Sequence, residues 1–115
     1  MKKLRKEIQL SYFNRASGER VGGPETKFPV SDATNFLAQF TKPGISLITT
    51  MPSGLGLDFY SEENGIIWIE FYGDVLQSTF VNLAKAHKIL ERAYSLHSLG
   101  PVCNLFSDLV QKWEY

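Results

Sequence analysis

Two carboxylates, Asp58 and Glu70, come closest to a chemical constellation, and both lie in the stretch 54–74, GLGLDFYSEENGIIWIEFYGD. Opposed carboxylates separate their pKa values, and such a pair can serve as general acid and general base. Catalysis would also need a groove and an oxyanion-stabilising group, and residues 54–74 contain no His, Lys or Arg. We therefore predict no catalytic residues here and a protein that is not an enzyme.

Histidine and cysteine offer no further site. His87 and His97 lie ten residues apart on one predicted helix, nearly three turns from each other, which is too far to share a metal ion. Cys103 is the single cysteine, so it cannot form an internal disulfide, and we predict a small buried residue in a reducing cytoplasm. As a nucleophile it would need a base, for which only His97 is near in sequence. We predict neither a metal nor a cofactor.

The stretch that positions the two carboxylates is predicted to be a β-hairpin, because its apolar residues alternate with polar and aromatic ones. A two-residue turn would pair Phe59 with the charged Glu70 and spoil the core face. A three-residue loop over 63–65 pairs Phe59 with Ile69 instead. That loop needs a left-handed residue, for which Gly65 is suited. We predict the three-residue register.

This register determines the second face of the hairpin. It places three pairs opposite one another, namely Tyr60 with Trp68, Gly56 with Tyr72, and Asp58 with Glu70. Like charges directly opposite destabilise a sheet by roughly 0.2–1 kcal/mol, so the carboxylates call for compensation. The sequence leaves three sources open: a Lys or Arg of the same chain, simple solvation, or a basic partner molecule.

The rest of the chain alternates between strand and helix patterns. Strands are predicted over 4–13 and 45–51, and helices over 31–40 with Ser31 as N-cap, over about 79–99, and over 104–113. The second helix has an apolar stripe from Phe80 to Tyr94 that includes Ala84 and His87, which predicts His87 to be a core residue. Residues 14–27 form a loop, in which Gly22-Gly23-Pro24 is expected to stop any returning strand. The order predicts an α+β fold, an antiparallel sheet of about four strands with helices packed on one side.

Composition limits the class of protein. The 115 residues suit a single domain over 1–115, and 43% hydrophobic with 21% charged residues is typical of a globular protein. Twelve basic and twelve acidic groups cancel, yet residues 54–74 hold five acidic residues and no basic one. Such a surface attracts cationic partners and repels nucleic acid. With neither a signal peptide nor a membrane-length apolar run, we expect a soluble cytoplasmic protein.

The helix SDATNFLAQF, the strand ISLITT and the hairpin GLGLDFY–SEENG–IIWIEFYG, over 31–73, resemble immunity proteins of bacterial polymorphic-toxin and contact-dependent growth-inhibition systems. The last forty residues depart from that pattern. The resemblance implies a monomer or weak homodimer that binds one cognate toxin domain, usually a nuclease or deaminase, and blocks its active site. The implied anchors are Tyr60, Trp68 and Tyr72, and the implied partners of toxin Lys or Arg are Asp58, Glu62, Glu63, Glu70 and Asp74.

Two other interpretations remain open from the sequence. The chain would be a small ligand-binding domain or minor enzyme if a pocket between sheet and helices brought Asp58, Glu70 and His87 together. It would be a subunit of an assembly if the hairpin were an ordinary strand pair covered on both sides. A deep pocket lined by Asp58, Glu70 and His87 would support the first of these, and full burial of Trp68 and Tyr72 would argue against a partner-binding face.

Overall fold

The computed structural model of the chain describes residues 7–52, 54–72 and 77–95, without the side chains of residues 24, 25 and 77. Its elements are β1 (Ile8–Asn14), β2 (Arg20–Phe28), α1 (Val30–Leu37), β3 (Ile45–Thr50), β4 (Gly56–Ser61), a 3₁₀ turn (Glu63–Gly65), β5 (Ile66–Tyr72), β6 (Gln77–Asn82) and α2 (Leu83–Ala93). Asp74, His97, Cys103 and the helix predicted over 104–113 lie outside the described residues.

The described strands form one antiparallel sheet in the order β2-β1-β3-β4-β5-β6. Strands β3 to β6 follow one another as a meander, while α1 carries the chain from the β2 edge back to β3 beside β1. The α+β class and the antiparallel sheet are confirmed. The predicted number of about four strands was too low, because the described residues alone form a sheet of six. Strands β2 and β6 were not predicted.

The core lies between the sheet and the helices, because one set of alternate strand residues is mostly apolar, with Thr49 and Thr79 as buried polar exceptions. Strand side chains in the core are Ile8, Leu10, Tyr12, Ile45, Leu47, Leu57, Phe59, Ile67, Ile69, Phe71 and Val81, and helix side chains are Val30, Ala33, Leu37, Ala86, Ile89, Leu90 and Ala93. Both helices therefore cover the same face, as predicted. Burying a side chain of the size of Leu or Phe contributes about 1.5–3 kcal/mol, so this single cluster stabilises the whole sheet.

Strand β2 runs through the glycines and the proline that were expected to stop it. Leu10 pairs with Gly23 but Gln9 pairs with Lys27, so the register shifts and residues 24–26 form a bulge. A proline is tolerated there because β2 is the edge of the described sheet. The backbone of Gly22 is left-handed (φ 82°), and a Cβ there would lie 2.1 Å from the carbonyl oxygen of Leu10. Gly22 thus lets the edge strand approach β1 closely.

Helix α2 begins later and ends earlier than predicted. Residues 77–82 continue the meander as β6, and the side chain of Asn82 caps α2 by accepting a hydrogen bond from the backbone N–H of Lys85 at 2.8 Å. The spacing of apolar residues from Phe80 onward also fits a helical period, which is why the helix was predicted to begin before this boundary. Ala84 is exposed and His87 is only half-buried, so the prediction that His87 is a core residue was wrong.

Helix α1 also differs at both ends. Pro29, with φ −69° and ψ 149°, occupies the N-cap position and contributes no side-chain cap. Ser31, the predicted cap, lies inside the helix, because the helix already begins at Val30, whose side chain is fully buried in the core. The helix ends at Leu37 instead of Phe40, although Phe40 is still buried.

Candidate functional site

The face of the sheet opposite the helices carries the exposed apolar side chains of the described residues. Those large side chains are Ile48, Ile66, Tyr72 and Phe80, at 38–43% exposure. We call this surface the open face, and it comprises Phe13, Ser46, Ile48, Asp58, Tyr60, Ile66, Trp68, Glu70, Tyr72 and Phe80. Each of these alternates along its strand with residues of the other face, so the strand period alone assigns it to this side. With Tyr72 43% exposed, the described residues do not cover the hairpin on both sides.

The hairpin has the predicted register. Tyr60 pairs with Trp68, Gly56 with Tyr72, and Asp58 with Glu70. The loop contains three residues, 63–65, and is closed by a hydrogen bond from Glu62 N to Ile66 O of 2.8 Å. Gly65 is left-handed as predicted (φ 72°), and Asn64 shares that conformation (φ 62°). Asn and Gly are the residues that adopt this conformation at least cost, so the sequence of the turn suits its backbone.

One row of aromatic residues crosses the open face. Its successive Cα partners, one on each of five strands, are Phe13, Ser46, Tyr60, Trp68 and Phe80. The rings of Trp68 and Phe80 pack at a centroid distance of 4.4 Å. At the opposite end, the guanidinium carbon of Arg20 lies 4.3 Å above the ring of Phe13. This row lines an open groove of about 1060 Å³ that Arg15, Glu62 and Glu63 also border.

The carboxylates form the next row and take their hydrogen bonds from the aromatic residues. Trp68 Nε1–H donates to Glu70 Oε1 at 2.9 Å, and the Tyr72 hydroxyl donates to Glu70 Oε2 at 3.3 Å. The Tyr60 hydroxyl donates to Asp58 Oδ2 at 3.2 Å. The acidic and aromatic residues that sequence patterning placed together therefore form two adjacent hydrogen-bonded groups, Tyr60 with Asp58, and Trp68 and Tyr72 with Glu70.

Of the two carboxylates, Asp58 is in the less favourable surroundings for a negative charge. It is 3% exposed, and its Oδ1 atom is buried without a hydrogen-bond partner among the described residues. A hydroxyl has one proton, so Tyr72, while donating to Glu70, cannot also satisfy Oδ1. Burial raises the pKa of Asp58 from 3.8 to about 6, the nearby hydroxyls of Tyr60 and Tyr72 oppose the rise by favouring the ionised form, and the charge of Glu70 adds to it.

The two simpler sources of compensation for this buried acid were a Lys or Arg of the same chain and solvation. Among the described residues, the groups that act on the pKa of Asp58 are Tyr60, Tyr72 and Glu70, and none of them is a cation. At 3% exposure, solvation does not compensate the charge either. The negative charge of Asp58 in turn raises the pKa of Tyr72 to about 12, because it disfavours a second negative charge on the nearby phenol.

Most of the predicted binding residues share this surface. Asp58, Tyr60, Trp68, Glu70 and Tyr72 lie on the open face, Glu62 and Glu63 are exposed at the turn beside the groove, and Asp74 lies outside the described residues. Sequence reasoning missed Phe13 and Phe80. Phe80 was missed because residues 77–82 were not predicted to be a strand. Phe13 was missed because its alignment with Ser46 depends on the pairing of β1 with β3.

The open face is separated from His87 by the sheet. His87 belongs to α2, whose buried residues pack on the core face, so Asp58 and Glu70 do not share a pocket with it. Within the part of the chain that the structure describes, no group of three or more His, Cys, Asp or Glu side chains is placed to hold a metal ion.

The helices of the described residues are too short and insufficiently apolar to cross a lipid bilayer. Comparison of the chain with family models, with curated proteins and with solved structures gave no match.

Proposed function

We propose that the chain is a bacterial cytoplasmic immunity protein, not an enzyme, that neutralises a cognate basic toxin domain of the nuclease or deaminase class. The open face is the binding surface. The observation that carries the proposal is the buried carboxylate of Asp58, opposite Glu70, with aromatic donors nearby and, within the described part of the chain, no cation among the groups that act on it. Folding alone does not favour such a site, because burying an unpaired charge costs free energy.

The surface also has the parts that a tight protein interface uses. Trp68 is half-buried and Tyr72 exposed, so each offers apolar area that a partner can bury. Aromatic residues at the centre of an interface contribute most of the binding free energy, while charges at its rim increase the association rate. Glu62 and Glu63, exposed at the turn, are placed to attract a basic partner. Enzymes that bind phosphates have basic active sites, which this acidic surface complements.

The groove gives weight to a second function, the binding of a small aromatic or apolar molecule. It is lined by Phe13, Tyr60, Trp68 and Phe80 and measures about 1060 Å³. It lies on the open face, whereas the expected location was between the sheet and the helices. Its wide opening favours the side chains of a protein over a ligand that must be enclosed.

Co-purification tests the leading proposal. A tagged chain expressed in its native cell should retain a basic toxin domain, and adding the purified chain should abolish that domain's catalytic activity at a stoichiometry of one to one. The affinity should fall steeply with salt, because exposed charges are screened over about 10 Å at 0.1 M salt. Retention of an acidic protein, or of a toxin whose activity is unchanged, would contradict the proposal.

A further inference from the structure

We infer that Asp58 and Glu70 together form a receptor for one guanidinium group, supplied by an arginine side chain of the partner. This inference rests on the proposed function and deepens it, because it names the chemical group that the centre of the open face recognises. The two carboxylates face each other across the β4–β5 ladder, where directly opposed side chains stand about 5 Å apart. A guanidinium, with five N–H donors in a planar fork, can bridge oxygens at that separation.

The unused acceptors match the donors of such a group. Asp58 Oδ1 has no partner among the described residues, although its side chain is 97% buried. Each carboxylate oxygen has two lone pairs, so Glu70 keeps free acceptor sites after receiving hydrogen bonds from Trp68 and Tyr72. A bridging guanidinium would satisfy Oδ1 and would also remove the repulsion between the two acidic groups.

The surroundings favour a guanidinium over an ammonium. The rings of Tyr60, Trp68 and Tyr72 surround the carboxylate pair on the open face. A guanidinium is planar and weakly hydrated, so it stacks on aromatic rings and loses little solvation there. An ammonium is strongly hydrated and binds as a point charge, which makes its transfer to this site more costly.

Access to Asp58 requires one side chain to move. Tyr72 is 43% exposed, and its hydroxyl has a single described hydrogen bond, to Glu70 at 3.3 Å, near the upper limit for such a bond. An incoming arginine would take over the Glu70 Oε2 atom, and the phenol would turn outward over the bound side chain. Tyr60, which is half-buried and donates to Asp58 Oδ2, keeps its position.

The ionisation of the receptor is set by a small group of neighbours. Glu70 and Tyr72 face Asp58 from β5 and Tyr60 from its own strand. On the core side of the sheet, the charge of Asp58 contributes to the raised pKa of Tyr94. Strand β3 presents Ile48, which does not titrate. A guanidinium binds the ionised carboxyl, so binding releases a proton near and below pH 6, the pKa of Asp58. The affinity for the cation should therefore rise with pH from 5 to 7.

The test uses the indole N–H of Trp68, which donates to Glu70 and therefore reports on the receptor. N-acetyl-arginine amide is titrated into the ¹⁵N-labelled full-length chain at constant ionic strength, with N-acetyl-lysine amide as the matched probe. A Trp113→Phe chain assigns the two indole signals. We expect a saturable shift of the Trp68 signal, at least about threefold weaker binding of the lysine probe, and at least about fivefold weaker arginine binding in Asp58→Asn and Glu70→Gln.

A matched control is Glu91→Gln, since Glu91 is an exposed acid on α2, away from the open face. It should bind the arginine probe like the wild type. Equal binding of the two probes, or unchanged arginine binding in both Asp58→Asn and Glu70→Gln, would overturn the receptor. Wild-type affinity of the toxin domain for these two variants would also overturn the receptor. That outcome would leave the proposed function intact. Arginine binding without any basic partner would retain the receptor and refute the proposed function.

Discussion

Asp58 and Glu70 lie directly opposite each other on β4 and β5, and Trp68 and Tyr72 hydrogen-bond Glu70, whereas Asp58 Oδ1 has no partner among the described residues. Two acids in this relationship are costly to fold, because Asp58 is buried and the charge of Glu70 raises the free energy of its ionised form. The same relationship presents a preformed acceptor to a cation. We therefore expect that removing the charge of Asp58 stabilises the fold and weakens the binding of a basic partner.

Asp58→Asn should stabilise the fold at pH 7–8. The folded-state pKa of Asp58 is raised from 3.8 to about 6, so the folded chain holds the proton more tightly than the unfolded chain. Between these values the unfolded chain has lost the proton and the folded chain has not, so stability falls as the pH rises from 4 to 6 and stays reduced above it. Each pKa unit corresponds to about 1.4 kcal/mol, which screening on this outer face reduces to a total of about 1–2 kcal/mol.

Urea denaturation between pH 4 and 8 checks this stability prediction. The difference between Asp58→Asn and wild type should grow from pH 4 to 6 and then remain constant. Glu19→Gln, at an exposed acid in the β1–β2 turn, serves as control and should stay within about 0.5 kcal/mol of wild type. A less stable Asp58→Asn at pH 7 would mean that the ionised carboxyl is compensated in the folded chain.

The affinity for the toxin domain should rise with pH, whereas the stability of the free chain falls. A basic partner needs the ionised form of Asp58, whose pKa is about 6, so binding should strengthen from pH 5 to 7 and level off above it. The limiting slope is about tenfold per pH unit, since one proton is released. Calorimetry in buffers of different ionisation enthalpy measures that proton directly. Glu70→Gln should bind weakly at every pH, and a wild-type affinity that does not change from pH 5 to 7 would refute the coupling.

Trp68→Ala should weaken toxin binding by more than about 30-fold, because central aromatic anchors contribute about 2 kcal/mol or more. The side chain is half-buried and packs on Phe80 at 4.4 Å, so some loss of stability is expected as well. Trp68→Phe keeps the ring packing but removes the hydrogen bond to Glu70, and should be nearly as stable as wild type. Surface plasmon resonance on both variants separates packing from binding. If both bind like wild type, Trp68 is not an anchor.

Gly56→Ala should destabilise the sheet by about 1–3 kcal/mol, because a Cβ at this position would lie 2.4 Å from the carbonyl oxygen of Thr49 in the neighbouring strand. Gly23→Ala is the matched control, since no atom lies within 4 Å of a Cβ there and its backbone is not left-handed. Thermal unfolding of the two variants gives the comparison. Equal melting temperatures would show that β3 and β4 are not as closely spaced at Gly56 as described.

The hairpin was predictable because its information is local. Alternation assigns the faces, and the turn residues at 63–65 select the register that the structure has. Strand β6 was missed because Phe80, Leu83 and His87 also fit a helical period, and only pairing with β5 decides in favour of a strand over 77–82. Strand β2 was missed because its glycines and proline make a bulge at a sheet edge, a context that the sequence does not mark.

The burial of Asp58 could not be read from sequence at all. Its neighbours Tyr60 and Glu70 were predicted, but the degree of cover depends on how Tyr60, Tyr72 and Ile48 pack around it on three different strands. The same holds for the aromatic row, in which Phe13 joins Tyr60 only through the pairing of β1 with β3 and β3 with β4. Pairing between distant strands is set by the packing of the whole core, not by any local pattern.

The most direct test of the account is the dissociation constant of the co-purified toxin domain for wild type, Glu70→Lys and Glu91→Lys. Both variants change the charge equally, one on the open face and the other on the exposed side of α2. At about 50 mM salt, the account predicts at least about 100-fold weaker binding for Glu70→Lys and less than about threefold for Glu91→Lys. Equal losses in the two variants, or wild-type affinity in Glu70→Lys, would contradict it.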